Sequence, residues 1–324
     1  MAKVKTFKTI FPAVSVPLND DYSINETEFR AYLRWIKSFY GKGIEGLVCN
    51  GHTGEITGLT RAERKRVVEI CSEVCGDVMT IISGVNCENT DESIAMAKEA
   101  KEAGADGILL MPPHMWLRFG MNPNAPFEYV KDVAEGADID IIIHLYPATS
   151  KAFYPVEDLI KMCKEIDHVK CIKMGTRVTS IYEHDVRLLR KECPDISLIT
   201  CHDETLCVSW FPGMDGALIG FAGCVPELIC PAREVFANPD KHTLKEAQDW
   251  SDRIYHISQA IYGGGQPSGE AHARLKEALV QRGIFKSGLM RRPVLPLNQE
   301  EKDWVALGLK RSELPNVDMS QYQD

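Results

Sequence analysis

Residues 169–175, with the sequence VKCIKMG, place Lys173 at the end of a short apolar run. Apolar residues around the lysine and the closing glycine predict a buried parallel strand that ends there. Lysine is rarely buried without a partner, so this position needs an explanation. Burial lowers the pKa of an amine and leaves it neutral, able to attack a carbonyl group. The alternative is an ordinary strand-end lysine that is ion-paired or solvated.

Similar apolar runs recur along the whole chain at a spacing of about 30 residues, the size of one strand–helix unit. The eight predicted strands are residues 10–17, 46–50, 78–84, 107–112, 139–147, 169–175, 196–202 and 216–223. Amphipathic segments fill most of the gaps and follow the last strand, and the predicted helices are residues 26–40, 61–75, 90–103, 125–137, 156–166, 179–191 and 226–236. Asn25, Thr60 and Thr90 are the predicted N-caps. This alternation predicts an α/β fold, a (β/α)8 TIM barrel.

The pattern changes after Ala237, where helical segments follow one another without a strand. Residues 241–262 and 270–283 are predicted as two long helices separated by the glycines at 263–265, and residues 300–307 as a short third helix. We therefore expect two parts: a barrel with the active site in residues 1–237, and a C-terminal helical appendix in residues 238–324. The appendix is expected to pack on the barrel and to contribute to oligomer contacts.

Composition excludes several classes of partner. The chain has 324 residues and a net charge of −9, with no basic run, which argues against nucleic acid. No apolar segment is long enough to cross a bilayer, and no apolar stretch follows the N-terminal lysines as in a signal peptide. The 11 cysteines are scattered and form no CxxC pair, which is typical of reduced thiols. The expected location is the cytoplasm.

In this fold the chemistry lies at the carboxyl ends of the strands. The polar residues there are Ser15, Asn50, His52, Thr53, Glu55, His114, His144, Tyr146, Lys173, His202 and Asp203. Residues 51–55 (GHTGE) form a turn in which glycines allow close backbone approach and Thr53 can hold a carboxylate.

Strand five carries His144 and Tyr146, two residues apart, so both side chains point into the barrel or neither does. A general acid or base near the lysine and a core histidine bonded to a backbone carbonyl are both consistent with His144. His114 and Met115, after strand four, carry the same ambiguity. The histidines with Asp203 also raise the possibility of zinc, but no HxH or HExxH spacing supports a metal site.

Several motifs together resemble a known family. They are GHTGE at 51–55, LTRAER at 59–64, GAD at 104–106, PP at 112–113, Pro147, IK at 172–173 and RP at 292–293. The chain is similar in these to the dihydrodipicolinate synthase and N-acetylneuraminate lyase family of class I pyruvate aldolases, from about Phe11 to Leu297. The resemblance implies a Schiff base between Lys173 and a 2-oxo acid, whose carboxylate Thr53 and its turn bind. It implies a homotetramer and no cofactor.

The chain departs from that family's pattern at its proton relay. The family usually has a tyrosine at the position of His144, a hydroxyl residue at that of His52 and often a second tyrosine at that of Met115. Imidazole titrates near neutrality, so His144 or His52 is expected to move protons with a different pH profile from a phenol's. Tyr146 is the substitute if the strand is locally irregular.

The expected substrate also differs from that of the family's best-known enzyme. Thr149 stands where the synthase has an arginine that grips its second substrate, which argues against lysine biosynthesis. The apolar segment 115–119 (MWLRF) is similar to that of hydratase-aldolases acting on aryl-substituted pyruvates, although Trp116 and Phe119 are equally consistent with a subunit contact.

The predicted function is therefore a Schiff-base lyase, either a pyruvate-type aldolase or a hydratase-aldolase. The alternatives are a 2-oxo-3-deoxy sugar acid dehydratase and a non-catalytic 2-oxo-acid-binding protein. The predicted catalytic residues are Lys173, His144, Tyr146 and His52. The predicted substrate-binding residues are Thr53, Gly54, His114, Met115, Trp116 and Gly220, the last from strand eight.

Overall fold

A computed structural model describes residues 3–263 and 268–323 of the chain. Its eight parallel strands are hydrogen-bonded in the order β1-β8-β7-β6-β5-β4-β3-β2. They are β1 Ile10–Pro12, β2 Gly46–Cys49, β3 Thr80–Val85, β4 Gly107–Leu110, β5 Asp140–His144, β6 Val169–Met174, β7 Ser197–Thr200 and β8 Gly216–Ile219. The amide of Val14 donates to the carbonyl of Val48 at 3.0 Å, just beyond β1, and closes the sheet. The predicted (β/α)8 TIM barrel is confirmed.

Helices alternate with the strands and continue beyond the last one. They are α1 Glu26–Lys37, α2 Arg61–Cys75, α3 Thr90–Glu102, α4 Met115–Phe119, α5 Ala125–Ala137, α6 Val156–Glu165, α7 Thr179–Glu192, α8 Leu206–Trp210, α9 Pro226–Ala237, α10 Leu244–Tyr262, α11 Gly269–Gln281 and α12 Gln299–Arg311. Sequence reasoning missed α4 and α8, because five residues are too few to show a helical period.

Several predicted boundaries were too long. β1 ends at Pro12 rather than at residue 17, β5 at His144 rather than at 147, and β8 at Ile219 rather than at 223. Beyond those points the chain leaves the sheet to form the loops at the carboxyl end of the barrel, although the residues stay buried and apolar. Burial alone therefore did not mark the strand ends.

Two of the three predicted N-caps are confirmed. The side chain of Asn25 accepts from the amide of Glu28, and Thr60 forms a reciprocal capping box with Glu63. The prediction for Thr90 is wrong, since the cap is its neighbour Asn89, whose side chain accepts from the amide of Glu92. An asparagine side chain is as good a hydrogen-bond acceptor as that of threonine, so the sequence alone did not decide which of these two neighbours is the N-cap.

The strand with the lysine lies as the sequence predicted. β6 pairs with β5 on one side and β7 on the other, and Lys173 is directly opposite His144. Gly175 follows immediately, where a Cβ atom would lie 1.9 Å from the carbonyl oxygen of Leu145. Only glycine fits this close approach of two backbones, so the residue fixes where the lysine strand leaves the sheet.

The C-terminal helices pack against the barrel and against one another. Arg282 of α11 donates to the carbonyl of Cys224 and forms an ion pair with Glu227 of α9. The predicted glycine turn begins at Gly263, which ends α10 in a left-handed conformation, while Gly264 and Gly265 lie outside the described residues. Within the described part of the chain, no helix has the length and apolar character needed to span a membrane.

Candidate active site

A cavity of about 400 Å³ opens at the carboxyl ends of the strands. The strand-end positions of the barrel direct their side chains towards one mouth, as the fold requires. Among the predicted site residues, the cavity is lined by Lys173, His144, Tyr146, His52, Thr53, His114 and Gly220. The structure therefore brings together most of the residues that sequence reasoning selected.

Lys173 lies in the wall of this cavity, and the pKa of its amine is lowered. Burial lowers its pKa, while the thiol of Cys201 and the carboxyl of Asp203 act in the opposite direction. Within residues 3–263 and 268–323, no hydrogen bond or ion pair engages the amine. An amine with a lowered pKa has a larger neutral fraction near pH 7, which is the nucleophilic form.

Two imidazoles and a phenol surround the lysine. The ring of His144 lies 4.9 Å from that of Tyr146 and 5.6 Å from that of His52, between ring centres. The Tyr146 hydroxyl and Nε2 of His52 are 3.2 Å apart and share a hydrogen bond. Both His144 and Tyr146 line the cavity, so the prediction that they share a face is confirmed. The three rings therefore cluster beside Lys173, and one hydrogen bond joins two of them.

Burial sets the charge of these imidazoles. It lowers the pKa of His52 to about 3 and that of His144 well below its usual value, and the nearby Lys173 adds to both effects. The Nδ1 atom of His144 is buried without a hydrogen-bond partner among the described residues. Near pH 7 both rings are neutral, so each can accept a proton at one nitrogen and donate from the other.

The turn after β2 presents Thr53 to the cavity. Gly220 faces it across the mouth, since a Cβ atom there would lie 3.1 Å from Oγ1 of Thr53. Gly54 does not line the cavity; a Cβ at that position would lie 3.0 Å from the carbonyl oxygen of Val14. Gly54 therefore lets the turn pack closely on the barrel, and Thr53 is the side chain that reaches the ligand space.

A buried ion pair anchors the same turn. Glu55 has a left-handed backbone (φ 58°) and accepts from Nζ of Lys276 at 2.5 Å and from the amide of Arg291 at 2.7 Å. Lys276 lies on α11 and also donates to the carbonyl of Leu289. Glu55 was expected only as a polar strand-end residue, but its carboxylate faces the C-terminal helices instead of the cavity.

Only part of the segment after β4 lines the cavity, contrary to the prediction that His114, Met115 and Trp116 all bind substrate. His114 lines the cavity, as does Leu117, but Met115 and Trp116 do not. The indole of Trp116 is buried and packs edge-on against Tyr129 and Tyr154, at 5.7 and 6.2 Å between ring centres. Met115 is half exposed on the outer side of α4. The helical turn of α4, which the sequence did not reveal, rotates these two side chains away from the mouth.

The cavity is also lined by residues that sequence reasoning did not name as catalytic or substrate-binding, among them Arg177, Asp203, Tyr262 and His272. Arg177 follows β6 and pairs with Glu204, and Asp203 follows β7. The positions of Arg177 and Asp203 just after strands could have indicated from the sequence that both belong to the site. Tyr262 and His272 come from α10 and α11, and no local pattern indicated that these helices reach the mouth.

Metal binding was left open by the cluster of histidines. Across the described ranges, no group of three or more His, Cys, Asp or Glu side chains is arranged to hold a metal ion. The rings of His52 and His114 stack at 6.3 Å between centres instead of converging on one point.

Comparisons with known proteins agree with this geometry. The model of the dihydrodipicolinate synthetase family matches residues 6–312. The 4-hydroxy-tetrahydrodipicolinate synthase of Bartonella bacilliformis is 26% identical over 95% of this chain and 98% of its own, and that of Agrobacterium fabrum is 28% identical over 79% and 83%. The crystal structure of YagE, a prophage protein of E. coli K12, in complex with pyruvate superposes with a TM-score of 0.85 at 20% identity, covering 96% of this chain and 100% of that one.

Proposed function

The chain belongs to the dihydrodipicolinate synthetase family, and we propose that it forms a Schiff base between Lys173 and a 2-oxo acid to act as a pyruvate-type aldolase. Membership makes it a lyase of the aldolase kind. The observation that carries the proposal is the unpaired amine of Lys173, whose pKa burial lowers, at the wall of a cavity shared with Thr53.

Different residues in the cavity walls are proposed to carry out different parts of this reaction. Thr53 on one side is placed to hold the carboxylate of the 2-oxo acid, whose carbonyl then faces Lys173. The iminium formed there withdraws electrons from the neighbouring carbon and allows a carbon–carbon bond to break or form. His144, whose ring packs against those of Tyr146 and His52, is the group that accepts and returns the proton.

The tail of the substrate is proposed to be compact and largely apolar. Leu109, Leu117 and Pro147 supply apolar surface to the mouth, which supports a hydratase-aldolase acting on a 2-oxo acid with a flat tail. Trp116 was expected to bind substrate but does not line this surface, and Phe119, for which a subunit contact was equally consistent, does not line it either. The apolar character thus comes from Leu117 and from the strand ends.

A second candidate is the dehydration of a 2-oxo-3-deoxy sugar acid through the same lysine. Arg177, Asp203 and His272 line the cavity and offer polar partners for a hydroxylated tail. Turnover of a panel containing both aryl-substituted pyruvates and sugar acids separates the two candidates, because only one tail is matched by the mouth.

The test of the proposal is trapping with pyruvate and borohydride, followed by mass spectrometry of the intact chain and its peptides. We expect a reduced adduct on Lys173 in the wild-type protein and none in Lys173→Ala, with an unchanged circular dichroism spectrum. Turnover should fall below detection in that variant. An adduct on another lysine, or substantial activity of Lys173→Ala, would contradict the proposal.

We also propose a homotetramer. Two groups of exposed apolar side chains lie three strands apart around the barrel. The first group is on α4 and consists of Met115, Leu117 and Phe119. The second is on or beside α8 and consists of Val208 and Phe211. Two separate apolar surfaces suit two kinds of symmetric contact, which together generate a tetramer.

All 11 cysteines are free thiols, which supports the cytoplasm as the location.

A further inference from the structure

The carboxyl group of Asp203 lies in the same cavity as Lys173 but takes no part in the scheme above. Asp203 is buried just beyond the end of β7, the strand that pairs with the lysine strand β6. It lines the mouth on the side of Lys173 opposite to β5, which carries His144. The amine is therefore flanked by an imidazole on one side and a carboxyl on the other.

Two elements, the segment after β8 and α10, hold Asp203 in place. The amide of Phe221, after β8, donates to its Oδ1 at 2.7 Å. The hydroxyl of Tyr262 on α10 faces the carboxyl group and lowers its pKa. One helical turn earlier, Ser258 donates to the backbone carbonyl of Asp203 at 3.3 Å. A side chain fixed from the barrel and from α10 has a defined orientation, as a proton-transfer group requires.

Schiff-base formation needs an acid that the imidazole cluster does not supply. The amine must first lose its proton, and the carbinolamine must then expel its hydroxyl as water. An efficient proton donor has a pKa near the working pH. Burial lowers the pKa of His52 and His144 far below neutrality and raises that of Tyr146 far above it. Those groups suit proton movement at the substrate carbon better than this step.

We propose that Asp203 is the acid–base partner of Lys173, receiving the ammonium proton and returning it to the hydroxyl that leaves the carbinolamine. This inference rests on the Schiff-base function proposed above. It assigns opposite sides of Lys173 to different protons: Asp203 serves the nitrogen and its leaving water, and His144 serves the substrate carbon.

The step balances in atoms and charge. Proton transfer from the ammonium of Lys173 to the carboxylate of Asp203 gives a neutral amine and a neutral acid. The amine adds to the carbonyl carbon of the 2-oxo acid and forms the carbinolamine after a proton shift from nitrogen to oxygen. Asp203 then protonates the hydroxyl, the C–O bond breaks and water departs. The products are an iminium cation and the Asp203 carboxylate, which pair as opposite charges.

The electrostatics of the cavity agree with the geometry. Burial raises the pKa of Asp203 to about 6 and lowers that of Lys173, so proton exchange between the two groups costs less than between the free side chains. The charged groups facing Asp203 are Glu204 beside it and Lys173 and Arg177 on and after β6, while Tyr262 of α10 faces it with a phenol. Such a pair titrates as a unit with two apparent pKa values.

The test compares the wild-type protein with Asp203→Asn. The initial rate of trapping by low pyruvate and excess cyanoborohydride is followed by intact mass between pH 5 and 9. The pH profile of the wild-type rate should have an acid limb, where the rate rises with pH, and an alkaline limb, where it falls. Two limbs are expected because the pair of Asp203 and Lys173 must hold one proton to react. Asp203→Asn should trap about 100-fold more slowly near pH 7, in the range for loss of a general acid, and should lose the alkaline limb.

Asp185→Asn is the matched control. Asp185 is also buried, and burial likewise raises the pKa of its carboxyl to about 6, but it lies on α7 outside the cavity. Its substitution should leave both limbs in place. Tyr262→Phe keeps the carboxyl and removes the hydroxyl that lowers the pKa of Asp203, so the acid limb of the profile should move to higher pH.

The outcomes separate the two proposals. If the wild-type protein traps no pyruvate at any pH, the Schiff-base function fails and this inference fails with it. If the wild type forms the adduct and Asp203→Asn matches its rate and profile, the role of Asp203 alone is overturned. If Asp203→Asn does not fold, Tyr262→Phe decides: an acid limb that stays in place contradicts the assignment.

Discussion

Neutral imidazole rings surround the amine of Lys173, whose pKa is lowered. Burial lowers the pKa of His52, His144 and Lys173, and each cationic form would also be repelled by the others. Neutral rings and a lowered amine pKa keep the positive charge at the mouth low. In the proposed reaction, the carboxylate of the 2-oxo acid and the carboxyl of Asp203 would balance the charge of the iminium.

His144→Phe tests the role of the imidazole at the substrate carbon. The phenyl ring fills the space but cannot carry a proton, so the adduct with pyruvate should still form on Lys173. Turnover should fall by about 100-fold or more, as expected for loss of a general base. Steady-state turnover and adduct mass are measured side by side. An unchanged rate would remove His144 from the mechanism.

At the scale of elements, α11 connects the turn that carries Thr53 to the C-terminal helices. Lys276 is fully buried and pairs with Glu55, which lies two residues after Thr53. One helical turn before Lys276, His272 lines the cavity. Burial lowers the pKa of His272 to about 4 and that of Lys276 as well. The helix outside the barrel thus orders the turn and closes part of the mouth.

Lys276→Met should destabilise the protein strongly, because it leaves the buried Glu55 carboxylate without its cation. Loss of one partner of a buried pair costs about 3–5 kcal/mol. Urea unfolding measures the free energy, and the KM for the 2-oxo acid should rise as the Thr53 turn loosens. Lys245→Met is the control: its pair with Asp249 is on the surface, so the cost should stay below about 1 kcal/mol. Equal effects of the two substitutions would contradict this account.

At the scale of the whole molecule, acid is expected to destabilise the fold. Burial lowers the pKa of four histidines, which are His52, His144, His202 and His272. The unfolded chain takes up protons on them below about pH 6.5, while the folded chain does so only near pH 3 to 4, so stability falls as pH drops through this window. Asp185 and Asp203 act oppositely, since burial raises their pKa to about 6.

Urea unfolding at pH 7 and pH 5 measures this effect. Four histidines outweigh two carboxyls, so the free energy of unfolding should be lower at pH 5. His202→Gln should reduce the difference between the two pH values, because His202 lies outside the active-site cavity and its loss removes one titrating group. A stability that is flat or rises towards pH 5 would show that the histidines do not dominate the balance.

Assembly is tested by light scattering coupled to size exclusion. The wild-type protein should have the mass of four 36.3-kDa chains. Phe211→Asp places a charge on the apolar surface beside α8 and should give a smaller species. Leu244→Asp is a matched control, since Leu244 is 64% exposed and Phe211 65%, and it should leave the mass unchanged. A wild-type monomer would refute the tetramer.

The sequence by itself determined the barrel, the strand that carries Lys173 and the turn that carries Thr53. Apolar periodicity, glycine placement and strand-end position are local properties, and burial of eight similar units leaves few other folds. The same reasoning placed His52, His144 and Tyr146 at one mouth, because residues at the carboxyl ends of barrel strands converge.

Only the tertiary structure decided which other side chains join them. Tyr262 and His272 reach the cavity because α10 and α11 fold back over the barrel, and Trp116 leaves it because α4 turns the indole into the core. The pKa of Asp203 likewise depends on its burial and on neighbours far along the chain. These features depend on distances in space between segments that are remote in sequence, and a local pattern carries no information about them.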